Sequence, residues 1–141
     1  MSHWLVKTEP EVYSFEQLLE DKRTFWNGVR NHQAKNNLIK MKKGDLVLVY
    51  HSQGPKSVAG IARVAKEHYP DVHIKPDDPK GAWVMVDLEA VKPLPQEVTL
   101  EQIKKDKALA TIALVKQSRL SVMPLSEKEF ARILELGGAV K

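Results

Sequence analysis

The segment TFWNGVRNHQAKNNLIKMKKGDLVLVYHS, residues 24–52, contains the signals that decide the fold. Apolar residues recur in it at helical spacing, which predicts an amphipathic helix over residues 31–42. The apolar stripe of this helix consists of Ala34, Leu38 and Met41. A Gly-Asp turn that begins at Gly44 then starts an apolar, β-branched run, which predicts a strand over residues 45–52. The segment therefore predicts a domain that combines helices with strands.

Three other segments carry the pattern of a capping box, a Ser or Thr followed three residues later by Gln or Glu. The pairs are Ser14 and Gln17, Thr99 and Gln102, and Ser126 and Glu129. Apolar residues flank each pair, as in a hydrophobic staple. The helices predicted from them cover residues 15–21, 100–108 and 127–136. Gly137-Gly138 ends the last helix, and residues 108–116 predict a further helical turn or two.

Apolar, β-branched runs predict the remaining strands, which cover residues 3–7, 57–67 and 83–91. The strand over 57–67 follows 45–52 after a QGPK turn, so we expect a hairpin in which Gly60 marks a bulge or a close backbone approach. Residues 69–82, rich in Pro and Asp, predict a surface loop. Strands in the middle and helices at both ends indicate one α+β domain over residues 1–141, built around a curled, partly closed sheet.

The bulk composition excludes several classes of protein. The chain has 141 residues and no cysteine, so a disulfide framework and a cysteine-ligated zinc site are both ruled out. No apolar run approaches the roughly 18 residues that span a bilayer, and the N-terminal sequence lacks the pattern of a secretion signal. We therefore expect an intracellular protein without membrane association, cytoplasmic or, in a eukaryote, nuclear.

The sequence contains no motif for catalysis, for a cofactor or for a metal. Walker-type loops, GxGxxG and GxSxG do not occur, and the five histidines show no metal-ligand spacing. His51 and Ser52 are neighbours in a predicted strand, so their side chains point to opposite faces and cannot act as base and nucleophile. The sequence thus predicts no cofactor, no metal and no catalytic residue from motifs.

A basic run lies within the deciding segment. No Asp or Glu occurs from Lys22 to Gly44, although the net charge of the whole chain is only +4. The run contains Lys22, Arg23, Arg30, Lys35, Lys40, Lys42 and Lys43. A solvated basic helix is one interpretation, and an anionic partner is the other; seven cations without one acid favour the second. The cations expected to contact phosphates are Arg30, Lys35, Lys40, Lys42 and Lys43.

Trp26 is the candidate centre of a binding site. It lies among polar residues, and Gly28 lets the backbone turn sharply so that a ligand can approach closely. These polar neighbours are Asn27, Arg30, Asn31 and Gln33. An indole, amide groups and a guanidinium can together stack a nucleobase, read its edge and neutralise its phosphate. Two alternatives remain open, namely that Trp26 is a packed core residue and that Asn31 serves only as a helix cap.

Four stretches, spread in order over about residues 2–136, carry long and specific signatures. They are HWLVKTEPEVYSFEQL, TFWNGVRNHQAKNNLIKMKKGDLVLVYHS, VAGIARVAKEHYPD and SRLSVMPLSEKEF. In these signatures the chain resembles the EVE domain family, a branch of the PUA-like superfamily. The resemblance implies a pseudo-barrel of mixed strands with surrounding helices. It also implies a reader of modified bases in DNA or RNA, notably 5-methylcytosine and 5-hydroxymethylcytosine.

The resemblance further implies which residues line the base pocket. They are Lys7, Thr8, Glu9, Pro10, Trp26, Gly28, Val29, Arg30, Asn31, His51, Ser52, Arg119, Leu120 and Ser121. The chain departs from the family pattern at Thr8, where Ser is common, and at Asn27, His32 and Lys35, where Asp, Tyr or Phe, and Arg are usual. The loop that follows Asp71 is also shorter than in many relatives, so we expect the ligand preference to differ if this loop helps to close the pocket.

The leading hypothesis is a non-catalytic reader that binds DNA or RNA carrying a modified base. The second is an RNA- or nucleoside-processing enzyme, in which Lys7, Glu9 and His51 would be the acid–base groups if they converge. The third is a protein that binds a small heteroaromatic molecule without polymer. Neutralising the basic run would weaken binding under the first hypothesis and leave it almost unchanged under the third.

Overall fold

Helices and strands follow one another along the chain in the structure, a computed structural model that describes residues 2–27, 31–70 and 83–139. The strands are β1 (His3–Thr8), β2 (Arg23–Trp26), β3 (Leu46–His51), β4 (Ser57–Pro70), β5 (Val84–Thr99) and β6 (Val122–Leu125). The helices are α1 (Phe15–Asp21), α2 (His32–Lys40), α3 (Leu100–Lys105), α4 (Ala113–Lys116) and α5 (Glu127–Leu136). The predicted α+β class is confirmed.

The described strands form one mixed sheet in the order β2-β5-β4-β3-β1-β6. β1 pairs in parallel with β3, and the other neighbours are antiparallel. Helix α2 contacts β4, β5 and the edge strand β6. Because β5 and β6 are far apart in the strand order, the sheet curls around α2 to bring both against the same helix. The predicted curled, partly closed sheet is confirmed.

The helix termini follow the capping signals in the sequence. The boxes that precede α3 and α5 are complete. Before α1, the Ser14 hydroxyl accepts a hydrogen bond from the Gln17 amide at 3.1 Å. The Gln17 side chain donates to Asp21 at 2.9 Å and does not accept from the Ser14 amide, so this box is only half formed. Gly138, with a φ of 73°, ends α5 in the left-handed conformation, as predicted.

Several predicted boundaries were wrong. Helix α3 ends at Lys105 instead of residue 108, because Asp106 has extended backbone and its carboxylate accepts a hydrogen bond from Arg132 at 2.8 Å. β5 continues to Thr99, beyond the predicted end at 91, since register irregularities against β4 accommodate its prolines. β4 continues to Pro70, so the start of the predicted loop belongs to a strand, while residues 71–82 lie outside the described residues.

Strand β2 was not predicted. Its four residues are flanked by charge, and its partner in the sheet is β5, about sixty residues further along the chain. The pairing sets Trp26 opposite Val86. β2 thereby holds the indole at one edge of the sheet, while β1 lies next to the opposite edge strand, β6.

Gly60 provides the close approach that its position predicted. The register shifts beside it on both β3 and β5, which is the signature of a bulge. A Cβ added to Gly60 would lie 2.2 Å from Cε2 of Phe15, the first residue of α1, whose side chain is buried. The glycine therefore lets α1 pack directly on the sheet, and this contact fixes the segment between β1 and α1.

Candidate functional site

Three adjoining cavities lie around the end of β1. The tryptophan cavity, of about 310 Å³, is lined by Lys7, Thr8, Val12, Tyr13, Thr24, Phe25, Trp26 and Asn27. The tyrosine cavity, of about 330 Å³, is lined by Lys7, Thr8, Glu9, Tyr50, Ser52, Lys56, Leu100, Leu114, Ser118 and Ser121. The arginine cavity, of about 340 Å³, is lined by Asn31, Gln33, Lys116, Gln117, Ser118, Arg119 and Leu120. Lys7, Thr8 and Ser118 are each shared by two cavities, so the three form one continuous concave surface.

The curl of the sheet builds the tryptophan cavity. Lys7 on β1 and Trp26 on β2 line it together, although three strands separate β1 from β2 in the sheet order. Trp26 is 8% exposed and also packs in the hydrophobic core. Its ring meets the Tyr13 ring edge to face, with centroids 6.2 Å apart and planes at 86°. The indole is thus a core residue and a cavity wall at once, held in a fixed orientation.

The rim of the tryptophan cavity is apolar and exposed. Val12 and Phe25 are 77% and 47% exposed, and they are two of the three large exposed hydrophobic residues in the described part of the chain. Tyr13 beside them donates a hydrogen bond from its hydroxyl to Asp21 at 2.8 Å, and burial raises the pKa of Tyr13. A flat apolar ligand would therefore meet hydrophobic surface at the entrance as well as at the indole.

Two polar groups give the tryptophan cavity a hydrogen-bonding edge. The Thr8 hydroxyl donates to the Tyr13 carbonyl at 2.7 Å, so its oxygen remains able to accept. Asn27, exposed at the end of β2, carries both a donor and an acceptor. A ligand edge with alternating donors and acceptors, such as that of a nucleobase, matches this pair.

The tyrosine cavity is basic. The Lys7 ammonium donates to the Ser118 carbonyl at 2.7 Å. Burial, with a further contribution from the charge of Lys56, lowers the pKa of Lys7. Burial raises the pKa of Tyr50 to about 12, so its hydroxyl keeps its proton at neutral pH. The cavity therefore presents hydrogen-bond donors and positive charge.

The arginine cavity lies where α2 begins. The Asn31 side chain accepts a hydrogen bond from the Ala34 amide at 2.9 Å, so Asn31 caps the helix. Its amide nitrogen can still donate toward the cavity. Lys116 and Arg119 are exposed beside it. This cavity combines an amide group with two cations at a helix N-terminus, and it is open to solvent.

The predicted site residues are thus distributed over three cavities rather than around one pocket. Trp26 lies in the tryptophan cavity, Glu9, Ser52 and Ser121 in the tyrosine cavity, and Asn31, Arg119 and Leu120 in the arginine cavity, whereas Lys7 and Thr8 line two. Pro10 follows Glu9 at the end of β1 and is not among the lining residues. Gly28, Val29 and Arg30 lie outside the described residues. The sequence reasoning overlooked Val12, Tyr13, Thr24, Phe25, Tyr50 and Lys56.

His51 has a role that differs from its predicted place opposite Trp26. Its side chain is buried, and Nε2 accepts a hydrogen bond from the Phe15 amide at 3.0 Å, at the start of α1. In the parallel register His51 pairs with Thr8, and Tyr50 pairs with Lys7. Because successive residues of a strand point to opposite faces, His51 and Lys7 project from opposite faces of the sheet. The acid–base trio with Glu9 is therefore not assembled.

The predicted basic ridge is only partly exposed, and its residues Lys42 and Lys43 lie away from the tyrosine cavity. The Lys35 ammonium is 5.8 Å from the centre of the Trp83 ring, and His32 stacks on the same ring at 5.0 Å. Lys40, Lys42 and Lys43 are exposed. Lys42 and Lys43 precede the start of β3, whereas the tyrosine cavity lies at the end of this strand. A six-residue strand spans about 20 Å, and this length separates the two lysines from the cavity.

Neither a metal centre nor a membrane segment is evident in the part of the chain that the structure describes. The described residues contain no group of three or more His, Asp or Glu side chains that could hold a metal ion. None of the helices in residues 2–27, 31–70 and 83–139 is long and apolar enough to cross a membrane.

Comparison with known proteins finds matches in sequence and in fold over nearly the whole chain. The family model described as EVE domain matches residues 2–136. Human thymocyte nuclear protein 1 is 35% identical over an alignment that covers 96% of this chain and 73% of that protein. The crystal structure of protein Atu2648 from Agrobacterium tumefaciens superposes with a TM-score of 0.93 at 37% identity, covering 100% of this chain and 97% of that one.

A further similar solved structure is a complex with DNA. The human THYN1 protein in complex with 5-methylcytosine-containing DNA matches with a TM-score of 0.89 at 33% identity, covering 100% of both chains. The family match, the curated relatives and the solved structures all extend over nearly the whole chain. The pseudo-barrel implied by the sequence signatures is the fold of these proteins, and the chain belongs to the EVE domain family.

Proposed function

We propose that this protein is a non-catalytic reader that takes a modified cytosine, 5-methylcytosine or a close relative, out of DNA and into the tryptophan cavity. The observation that carries the proposal is that Trp26 forms a fixed wall of an open cavity next to the lysines of the tyrosine cavity. The complex of human THYN1 with 5-methylcytosine-containing DNA supports it, because that protein shares the fold at 33% identity. An intracellular location, cytoplasmic or nuclear, is part of this proposal.

The free-energy cost of unstacking the base sets how much binding energy the tryptophan cavity must supply. Taking a base out of its stack costs a few kcal/mol. Stacking on Trp26 returns about 1–3 kcal/mol. The Thr8 oxygen and the Asn27 amide add hydrogen bonds to one edge of the base. Burying the methyl group is worth about 0.8 kcal/mol, so this contact alone discriminates methylated from plain cytosine only about four-fold.

The titration that tests the proposal compares matched oligonucleotides with cytosine or 5-methylcytosine at one position, as single strands and as duplexes. We expect the methylated strand to bind about four-fold more tightly in at least one of the two forms. An RNA series measured in parallel decides between the two polymers. Equal affinity for every oligonucleotide, or no binding at low salt, contradicts the proposal.

Phosphate contacts are expected from two separate groups of cations. Lys116 and Arg119 flank the arginine cavity and would neutralise the phosphates next to the bound base. Lys40, Lys42 and Lys43 form the second group; Lys42 and Lys43 are separated from the tyrosine cavity by the length of β3, roughly 20 Å, which corresponds to about six base pairs at roughly 3.4 Å per pair. The distant group therefore adds affinity without adding selectivity between bases.

Replacing Lys40, Lys42 and Lys43 together by Gln is expected to weaken modified and plain DNA equally. The slope of log affinity against log salt should fall by about 0.9 for each duplex phosphate that the variant no longer neutralises. The matched control replaces Lys104, Lys105 and Lys107, which are exposed and give the same change of net charge. An equal effect of the two triple variants would show that only net charge matters, and no effect of either would favour a small heteroaromatic ligand.

No observation favours the enzymatic alternative. Its acid–base groups would be Lys7, Glu9 and His51, and the structure directs His51 to the backbone of α1 on the face opposite Lys7. The Lys7 ammonium is held by the Ser118 carbonyl. General acid–base catalysis requires groups within hydrogen-bond reach of one substrate, and this geometry separates them.

A further inference from the structure

Tyr50 is a buried donor without a partner among the described residues. The residue is 2% exposed, and its hydroxyl makes no hydrogen bond with any residue of the described ranges. Every fully buried side-chain oxygen or nitrogen in these ranges has a hydrogen-bond partner. The unpartnered Tyr50 oxygen is therefore not fully buried, and it is accessible from the cavity that the residue lines. A buried hydroxyl is normally satisfied, because leaving it unpaired costs about 1–3 kcal/mol. The unpartnered Tyr50 hydroxyl therefore indicates a ligand that supplies a hydrogen-bond acceptor.

Two ammonium groups face the same cavity. Lys7 is the register partner of Tyr50, so both side chains project from the same face of the sheet, and Lys56 approaches from the turn between β3 and β4. The charge of Lys56 helps to lower the pKa of Lys7, which means that the two cations repel each other across the cavity. Neither of them has a carboxylate within 4.0 Å among the described residues. Unpaired like charges of this kind are stabilised by an anion between them.

Hydroxyl groups complete the lining. Ser118 and Ser121 add hydroxyl groups, whereas the Ser52 hydroxyl donates to the Thr8 carbonyl at 3.3 Å, and Glu9 is the one carboxylate on the described lining. Glu9 is exposed and follows β1, whereas Tyr50 on the same lining is buried. A phosphate accepts several hydrogen bonds at once, which a lining of this composition can supply.

The tyrosine cavity also has the right position for a nucleotide. Lys7 and Thr8 line both this cavity and the tryptophan cavity, so the two compartments adjoin each other. We propose that the tyrosine cavity is a phosphate-binding compartment, in which Tyr50, Lys7 and Lys56 hold a phosphate that belongs to the nucleotide whose base occupies the tryptophan cavity. This inference rests on the proposed function for the base and adds the ligand of the second compartment.

The test titrates the whole protein with small probes by calorimetry, namely inorganic phosphate, 5-methyl-2′-deoxycytidine and the 5′- and 3′-monophosphates of this nucleoside. We expect at least one monophosphate to bind at least ten-fold more tightly than the nucleoside, the factor given by about one charge-assisted hydrogen bond. Tyr50→Phe and Lys56→Gln should each remove this preference and leave the affinity for the nucleoside unchanged. Inorganic phosphate should shift the Lys7 and Lys56 ammonium signals in an NMR spectrum.

Tyr69→Phe is the matched control, since it removes a hydroxyl that is bonded to Asp87 away from the cavity. It should keep the full preference for the monophosphate. Trp26→Leu separates the two proposals, because it should lose the nucleoside but still show the phosphate-induced shifts of the ammonium signals. Equal binding of nucleoside and monophosphates, a preference that survives Tyr50→Phe, or ammonium signals that stay fixed at the highest phosphate concentration the protein tolerates would each overturn the inference.

Discussion

Trp26→Leu is expected to lower the affinity for a 5-methylcytosine oligonucleotide by roughly one to two orders of magnitude. The reason is that leucine keeps apolar volume in the core but loses the flat face on which a base stacks, an interaction worth about 1–3 kcal/mol per base. The measurement is a fluorescence-anisotropy titration with labelled DNA at constant salt. A thermal melt of the same sample establishes that the variant is folded.

Trp4→Leu is the matched control for this variant. Trp4 is also buried, but it lies at the start of β1 and donates its indole N–H to Asp45 at 3.0 Å, away from the cavities. The same substitution there should destabilise the fold and leave the affinity for DNA unchanged. If Trp26→Leu kept its affinity, or if Trp4→Leu lost as much, the indole of Trp26 would not be the stacking surface.

Asp45→Ala is expected to lower the free energy of unfolding by about 3 kcal/mol. The Asp45 carboxylate is 4% exposed and accepts hydrogen bonds from the Trp4 indole and the Lys42 amide, both at 3.0 Å, and from the Ser2 amide at 3.2 Å. Alanine would leave the Trp4 and Lys42 donors without an acceptor, and an unsatisfied buried donor costs about 1–3 kcal/mol. Urea denaturation followed by circular dichroism measures the loss.

Asp45→Asn provides the comparison, because it keeps one acceptor oxygen and nearly the same shape. Its loss of stability should be smaller than that of Asp45→Ala. Both variants should bind DNA normally at a temperature at which they are folded, since Asp45 immediately precedes β3 and the tyrosine cavity lies at the other end of that strand. A loss well below 1 kcal/mol in Asp45→Ala would mean that these three hydrogen bonds do not fix the start of β3.

The helix starts could be predicted from the sequence because their signals are local. A cap and its partner are three residues apart, so the boxes at Thr99 and Ser126 are visible without knowledge of the fold. The exception is Gln17, whose side chain forms a hydrogen bond with Asp21 instead of completing the capping box. The hairpin of β3 and β4 was predictable for the same reason, since its turn lies between the two strands. The sequence also marked Gly60 as a position of close approach, but not that the neighbour is Phe15, 45 residues earlier in the chain.

The cavities could not be predicted because they arise from contacts between distant residues. β2 is only four residues long and is a strand because it pairs with β5. A segment this short has no hydrophobic alternation in the sequence that would predict it. Once the sheet curls, Trp26 meets Lys7 and Tyr13, and a single predicted pocket becomes three cavities. That the Tyr50 hydroxyl lacks a partner among the described residues is likewise a property of the packed molecule.

His51 could have been placed correctly from the sequence. The alternation of a strand separates it from its neighbours Tyr50 and Ser52, which is the argument that excludes a Ser-His pair. The same alternation places the side chains of Tyr50 and Ser52 on one face of the strand and that of His51 on the other. Tyr50 and Ser52 line the tyrosine cavity, so His51 lies on the opposite face. In the structure that face belongs to α1, whose first amide donates its hydrogen bond to His51.

The most direct test of the central claim is a fluorine NMR titration of protein labelled with 5-fluorotryptophan. The chain has three tryptophans, Trp4, Trp26 and Trp83, and the two leucine variants above assign the Trp26 and Trp4 signals. Addition of a 5-methylcytosine oligonucleotide should shift the Trp26 signal in proportion to the bound fraction and leave the Trp4 signal in place. A complex that forms, by anisotropy of the same sample, while the Trp26 signal remains fixed would contradict the account.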